Sequence, residues 1–240
     1  MIARLISLAA LPLLLVAFRL AAAPAGSPAV PRFEADIQAM READRVRPPA
    51  PGEILFVGSS IFRLWTNVAD MMAPLPVRNR AFGGSRTGDQ LDRFAQVVTP
   101  CAPRVIVYYC GSNDLKAGND PQAIFERFRE FSRRVQREMP ATHLLFVSST
   151  RSPDRRERWD RVDRYNGLVR DYCAATPRHA FIDVNPALFD AAGEPRLELY
   201  VEDRLHLRPA AYVEFAARIR PVLERAWREA REQPASPGPR

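Results

Sequence analysis

The chain has 240 residues, 47% of them hydrophobic and 26% charged, which is enough for one sizeable core and too short to favour two domains. Its formal net charge is +7, yet Lys116 is its only lysine and the arginines stand beside acids, as in Asp154-Arg155-Arg156-Glu157-Arg158-Trp159-Asp160-Arg161. That alternation marks a solvated helix face, and with no aromatic-interleaved basic stripe or nucleic-acid motif the distribution argues against nucleic acid as the partner and leaves only a weak affinity for anionic surfaces. Cys101, Cys110 and Cys173 are an odd number at unrelated spacings, so neither a disulfide framework nor a zinc site is indicated. An exported chain can pair two of the three without the sequence saying which, and Cys110, in an apolar run, reads as a small core residue.

In chain order, Met1-Ile2-Ala3-Arg4 is a short basic start, residues 5–18 are an apolar run, and Ala23-Pro24-Ala25 offers small residues for cleavage. This is the layout of a signal peptide over residues 1–25, and it predicts a secreted or periplasmic product. The run is short for a membrane span and is followed by Arg19, so no stable span is expected after leader removal, an uncleaved amino-terminal anchor being the alternative. Residues 26–52 read as an N-terminal spacer and helix: a Gly/Ser/Pro stretch, a helix over 33–44 with Phe33, Ile37 and Met40 on one side, and a proline-rich connection.

Five short apolar runs follow, at 54–57, 77–82, 105–109, 144–147 and 180–184, with helical stretches between them. The alternation predicts βαβ units, a parallel sheet and helices on both faces. Helices are expected over 89–98, over 121–138, where Asp120-Pro121 supplies an N-cap and a proline at the first position, over 155–174, and from Arg208-Pro209 onward. The apolar stripe of the third, with Trp159, Val162, Tyr165, Leu168, Val169 and Tyr172, reads as core rather than as a cofactor box. Residues 232–240, rich in Pro and Ser, are expected to be a disordered tail.

Unusual polar groups collect at the ends of these strands. The first run ends in Gly58-Ser59-Ser60, the second in Gly83-Gly84-Ser85, and the third in Gly111-Ser112-Asn113-Asp114. Each alone is an ordinary turn or an Asx-turn. Adjacent glycines also leave amides pointing at a ligand, and an asparagine amide can donate into the same cleft. Of the three histidines, His143 and His179 precede apolar strands and have structural roles available; only His206 has a carboxylate three residues earlier, just before a proline-started helix. Asp203 can reach Nδ1 of His206 and fix its tautomer, leaving Nε2 for a nucleophile, although by itself the pair can equally be a surface salt bridge.

Together Gly58-Ser59-Ser60, Gly84, Gly111-Ser112-Asn113-Asp114 and Asp203-Arg204-Leu205-His206 resemble the SGNH (GDSL-like) hydrolase superfamily in order and rough spacing, over about residues 54–227. The resemblance implies a hydrolase domain over 53–231, an α/β fold of the flavodoxin-like three-layer α/β/α type with a five-stranded parallel sheet. It further implies a serine ester hydrolase working through an acyl-serine intermediate, with a small acyl ester of a carbohydrate or a lysophospholipid as substrate and no metal or organic cofactor. Carried over by position, Ser60 is the nucleophile, His206 the base and Asp203 its orienting partner. The amides of Ser60 and Gly84 and the side-chain amide of Asn113 form the oxyanion hole. Where the family's first block reads Gly-Asp-Ser, this chain has Gly58-Ser59-Ser60, so Ser59 stands as a competing nucleophile and Ser60 is preferred by register. The alternatives are a catalytically silent envelope module binding glycan or lipid, and a flavodoxin-like nucleotide binder, for which both the Gly fingerprint and a P-loop are missing. Nothing in the sequence encodes an oligomeric state.

Overall fold

The computed structural model describes residues 32–232. The expected leader and almost all of the expected tail lie outside the described residues, and residues 33–232 group as one compact unit. In chain order its main elements are α1 (Glu34–Val46), β1 (Ile54–Gly58), α2 (Ser60–Arg63), α3 (Val68–Met71), β2 (Val77–Asn79), α4 (Thr87–Asp92), α5 (Phe94–Val97), β3 (Val105–Tyr109), α6 (Ser112–Lys116), α7 (Pro121–Glu138), β4 (His143–Val147), α8 (Trp159–Ala175), β5 (His179–Ile182) and α9 (Pro209–Glu232). Among the described residues no helix is long and apolar enough to cross a membrane.

The five strands form one wholly parallel sheet in the order β2-β1-β3-β4-β5. Successive side chains on a strand point to opposite faces, and because both faces are covered here the strands are apolar at nearly every position. Ile54, Phe56, Val105, Val107 and Tyr109 face a cluster with Trp65, Tyr212, Phe215 and Ile219, contributed by the α2 region and α9. Leu55, Val57, Ile106, Tyr108 and Phe146 face a second cluster with Ile37, Phe94, Phe128 and Tyr165, from α1, α5, α7 and α8. This is the three-layer α/β/α arrangement expected. The chain winds outward from β1 in both directions, so the order reverses between β1 and β3, the place where open sheets of this kind leave a crevice at their carboxyl ends.

The elements depart from the sequence expectation where tertiary contacts outweigh local pattern. β2 stops at Asn79, because the Asn79 side chain accepts the Ala81 amide at 3.1 Å and turns the chain; Arg80 and Phe82 still donate to the carbonyls of Phe56 and Gly58. The helix expected over 89–98 is two, broken at Arg93, and the first begins at Thr87 because buried Asp114, on α6, accepts Thr87's amide at 3.0 Å. The helix expected over 155–174 begins as a 3-10 turn, Pro153–Arg158, and becomes α-helical at Trp159. By contrast α7 has the expected bounds, with the Asp120 carboxylate accepting the Gln122 amide at 2.8 Å, a cap worth about 1 kcal/mol. The helix grouped with the spacer, α1, packs on the domain: Ile37 is buried and Asp44 pairs with Arg78 and Arg80 of the β2 segment. All three cysteines are buried and free.

Candidate active site

Each site residue predicted from sequence stands just past the carboxyl end of a strand or on the loop before α9. Gly58 closes β1 with φ +143, and its register partner is Tyr109; a Cβ there would lie 1.9 Å from the Tyr109 carbonyl oxygen. Only glycine lets the two backbones approach this closely, and the turn that follows sets Ser59 as N-cap and Ser60 as first residue of α2. At that position the Ser60 amide has no acceptor within the helix.

Two long-range contacts fix α2. Asn79 donates from Nδ2 to the Phe62 carbonyl at 2.7 Å, and Tyr212 of α9 donates its hydroxyl to the Ile61 carbonyl at 2.8 Å. Trp65, fully buried, stacks on Tyr212 with ring centroids 5.1 Å apart. Burial of a large side chain of this kind is worth roughly 1.5–3 kcal/mol and anchors the segment just after Ser60. Sequence reasoning assigned Asn79 no role. Its proximity to the second strand's end was the available signal.

Ser60 Oγ lies 3.0 Å from His206 Nε2, and His206 Nδ1 lies 2.6 Å from Asp203 Oδ2. The other Asp203 oxygen accepts the amides of Leu205 and His206, each at 2.9 Å. The turn is closed by the Val201 amide donating to the His206 carbonyl, with Arg204 at φ 54. Partial burial alone would raise the Asp203 carboxyl. The His206 and Leu205 amides and the imidazole outweigh it and hold the carboxyl at about 2, so a negative charge faces Nδ1 across the range in which imidazoles titrate. Ser59 is placed differently. It is 1% exposed, its amide donates to the Tyr109 carbonyl, and its hydroxyl has no partner among the described residues.

Asn113, on α6 after β3, donates from Nδ2 to the Ser85 carbonyl at 3.0 Å, so it is tied to the loop that carries Gly84. Gly84 is exposed, at φ +75. That loop is itself held to β1: the Ser85 hydroxyl and Gln90 Nε2 both donate to the Gly58 carbonyl, at 3.2 and 3.1 Å. Asp114 supports the arrangement from below, accepting Thr87's hydroxyl at 2.7 Å and its amide; burial pushes its carboxyl up, opposed by those two bonds. Gly111, before α6, has no room for a side chain, since a Cβ would stand 2.3 Å from the Tyr165 ring. Ser85, Gln90 and Thr87 went unassigned in the sequence because their partners lie far away in the chain.

The remaining predicted positions are structural. His143 and His179 begin β4 and β5, and His179 bonds Ser132 Oγ and the Pro177 carbonyl. Among the described residues no group of three or more His, Cys, Asp or Glu is placed to hold a metal. A hollow of about 430 Å³ bounded by Arg151, Asp163, Asn166, Asp183, Asn185 and Phe189 includes none of the residues above.

Over residues 56–213, more than half its length, the chain matches the GDSL-like lipase/acylhydrolase family. The chain belongs to that family. Its fold is shared by solved structures of low identity. A GDSL-like lipase from Bacteroides thetaiotaomicron superposes with a TM-score of 0.67 at 18% identity, covering 80% of this chain and 98% of that one. A lipase/acylhydrolase from Enterococcus faecalis gives 0.62 at 21%, covering 74% and 96%. A variant of an acetyl-xylooligosaccharide esterase from Geobacillus gives 0.60 at 15%, covering 71% and 93%. No curated protein matches the chain. Membership makes this GDSL-like protein an ester hydrolase by family.

Proposed function

We propose that this GDSL-like protein cleaves small acyl esters of carbohydrates, or lysophospholipids, through an acyl-serine intermediate on Ser60. The observation that carries the reading is the unbroken hydrogen-bond chain from Ser60 Oγ through His206 to Asp203. In the forward step the imidazole takes the Ser60 proton as Oγ attacks the ester carbonyl. The tetrahedral intermediate collapses with that proton passing to the leaving alcohol, and water then repeats the sequence to release the acid. Asp203 keeps the imidazole in the tautomer with the proton on Nδ1 and offsets the positive charge of the imidazolium. The amides of Ser60 and Gly84 and the second Nδ2 hydrogen of Asn113 are the donors assigned to the developing oxyanion. The carbohydrate side of the substrate reading draws support from the acetyl-xylooligosaccharide esterase among the structures that share the fold.

The choice of Ser60 over Ser59 has a direct test on p-nitrophenyl acetate. Ser60→Ala is expected to lose on the order of 10⁶ in kcat, as nucleophile removal does in a comparable triad, while Ser59→Ala retains turnover. The reverse pattern would put the nucleophile at Ser59. Absence of turnover on any ester from acetate to palmitate, on acetylated sugars and on lysophosphatidylcholine, by folded wild-type protein, would favour a silent glycan- or lipid-binding module.

A further inference from the structure

Beside Ser60 stands a cation without an acid to neutralise it. Arg63 follows Ser60 by three residues on α2, a spacing that sets both side chains on one face of the turn. It is exposed, and no carboxylate among the described residues pairs with it. Its head folds against the glycine loop: a Cβ on Gly83 would stand 2.7 Å from Arg63 Nε and 3.5 Å from Cζ. The guanidinium is therefore seated against Gly83, the residue before Gly84, at the edge of the loop assigned to the oxyanion site.

The acids of the surrounding loops are already engaged. Asp203 is bonded to His206, Glu202 pairs with Arg208 at 2.9 Å, Asp114 is buried against Thr87, and Asp89 accepts the Arg86 amide at 2.8 Å. Two more arginines on these loops are exposed, and no carboxylate among the described residues pairs with their guanidinium groups: Arg86, two positions after Gly84, and Arg204, inside the Asp203–His206 turn. Thus the segments bearing Ser60, Gly84 and His206 each carry an unneutralised guanidinium, beside a low-dielectric protein wall that strengthens attraction for an anion.

We propose that Arg63, with Arg86 and Arg204 as outer cations, makes the enzyme select esters that carry an anionic group, a carboxylate or phosphate, close to the scissile carbonyl. The proposal rests on the ester-hydrolase reading of Ser60. A guanidinium offers two parallel N–H donors to such a group, where an ammonium offers a point charge. The anion is held and not consumed; it leaves on whichever product carries it.

The test uses pairs of esters that differ in charge. One arm compares p-nitrophenyl hemisuccinate with p-nitrophenyl butyrate, placing the charge on the acyl side. The other compares p-acetoxybenzoate with its methyl ester, placing it on the alcohol side. Wild-type protein is expected to favour the charged member of at least one pair by about tenfold in kcat/KM, mostly through KM, and added salt should shrink the preference. Arg63→Met should erase most of that ratio and Arg63→Lys recover part of it, with cooperative thermal unfolding showing that both variants fold. Equal use of charged and neutral esters by wild type, or a ratio that survives Arg63→Met, overturns the proposal. Failure of the underlying reading looks different: folded wild type would turn over neither member of either pair, and both ideas would fall together.

Discussion

Ser59 and Ser60 are neighbours of the same chemistry, and what separates them is where the backbone puts their hydroxyls. Ser60 Oγ meets His206 across 146 residues of chain, whereas Ser59 is sealed into the end of β1. The Asp-x-x-His spacing was legible because both partners sit in one turn; the preference for Ser60 came from register alone, because which serine meets His206 depends on a contact between distant segments. Asn113 lies between these cases. Its place in a Gly-x-Asn-Asp block could be read, but its bond to the Ser85 carbonyl couples it to the Gly84 loop, which only the fold reveals. Asn113→Ala is therefore expected to lower kcat on p-nitrophenyl acetate by ~10²–10³, the usual loss for one oxyanion donor. A kcat within a factor of about two of wild type would remove Asn113 from that role.

At the level of elements, α1 shows how charge ties a peripheral helix to the sheet. Arg80, 3% exposed, bonds Asp44 Oδ2 at 2.8 Å, and Arg78 bonds Glu53 at 2.6 Å and reaches Asp44 at 3.5 Å. Removing the shared carboxylate leaves buried guanidinium charge under-compensated, so Asp44→Ala is expected to destabilise the fold by about 3 kcal/mol. Urea unfolding measures this, and a change below about 0.5 kcal/mol would mean that α1 is dispensable to the domain. The sequence pattern placed α1 well but grouped it with the spacer, since the residues that pair with it, Arg78 and Arg80 of the β2 segment and Arg93 between α4 and α5, are far along the chain. Likewise α7 had its own start signal in Asp120-Pro121, while α4 borrowed its start from Asp114 and was placed two residues late.

For the whole molecule, the two histidines outside the site give folding a pH dependence of definite sign. Burial lowers both His143 and His179; the Pro177 carbonyl partly opposes the shift at His179, and Glu229 does so at His143. A folded-state value below the unfolded one favours the neutral imidazole in the fold. This contribution is therefore complete above the ordinary imidazole range, about 6.5, and is lost as pH falls below it. Wild-type Tm is expected to drop between pH 7 and 5, and the drop should be smaller in a His143→Gln/His179→Gln variant; identical slopes would remove these residues as its source. The sequence by itself determined the alternation of apolar runs and helices, hence the parallel sheet, because short apolar runs with turn residues between them have few other ways to be buried. It also determined which residue types end each strand. Only the tertiary structure decided that Ser60 rather than Ser59 faces His206, that Asn79 and Tyr212 hold α2 in place, and that Arg63 lies unneutralised against Gly83. Those outcomes depend on distances between loops brought together where the strand order reverses, and a linear pattern carries no such distances.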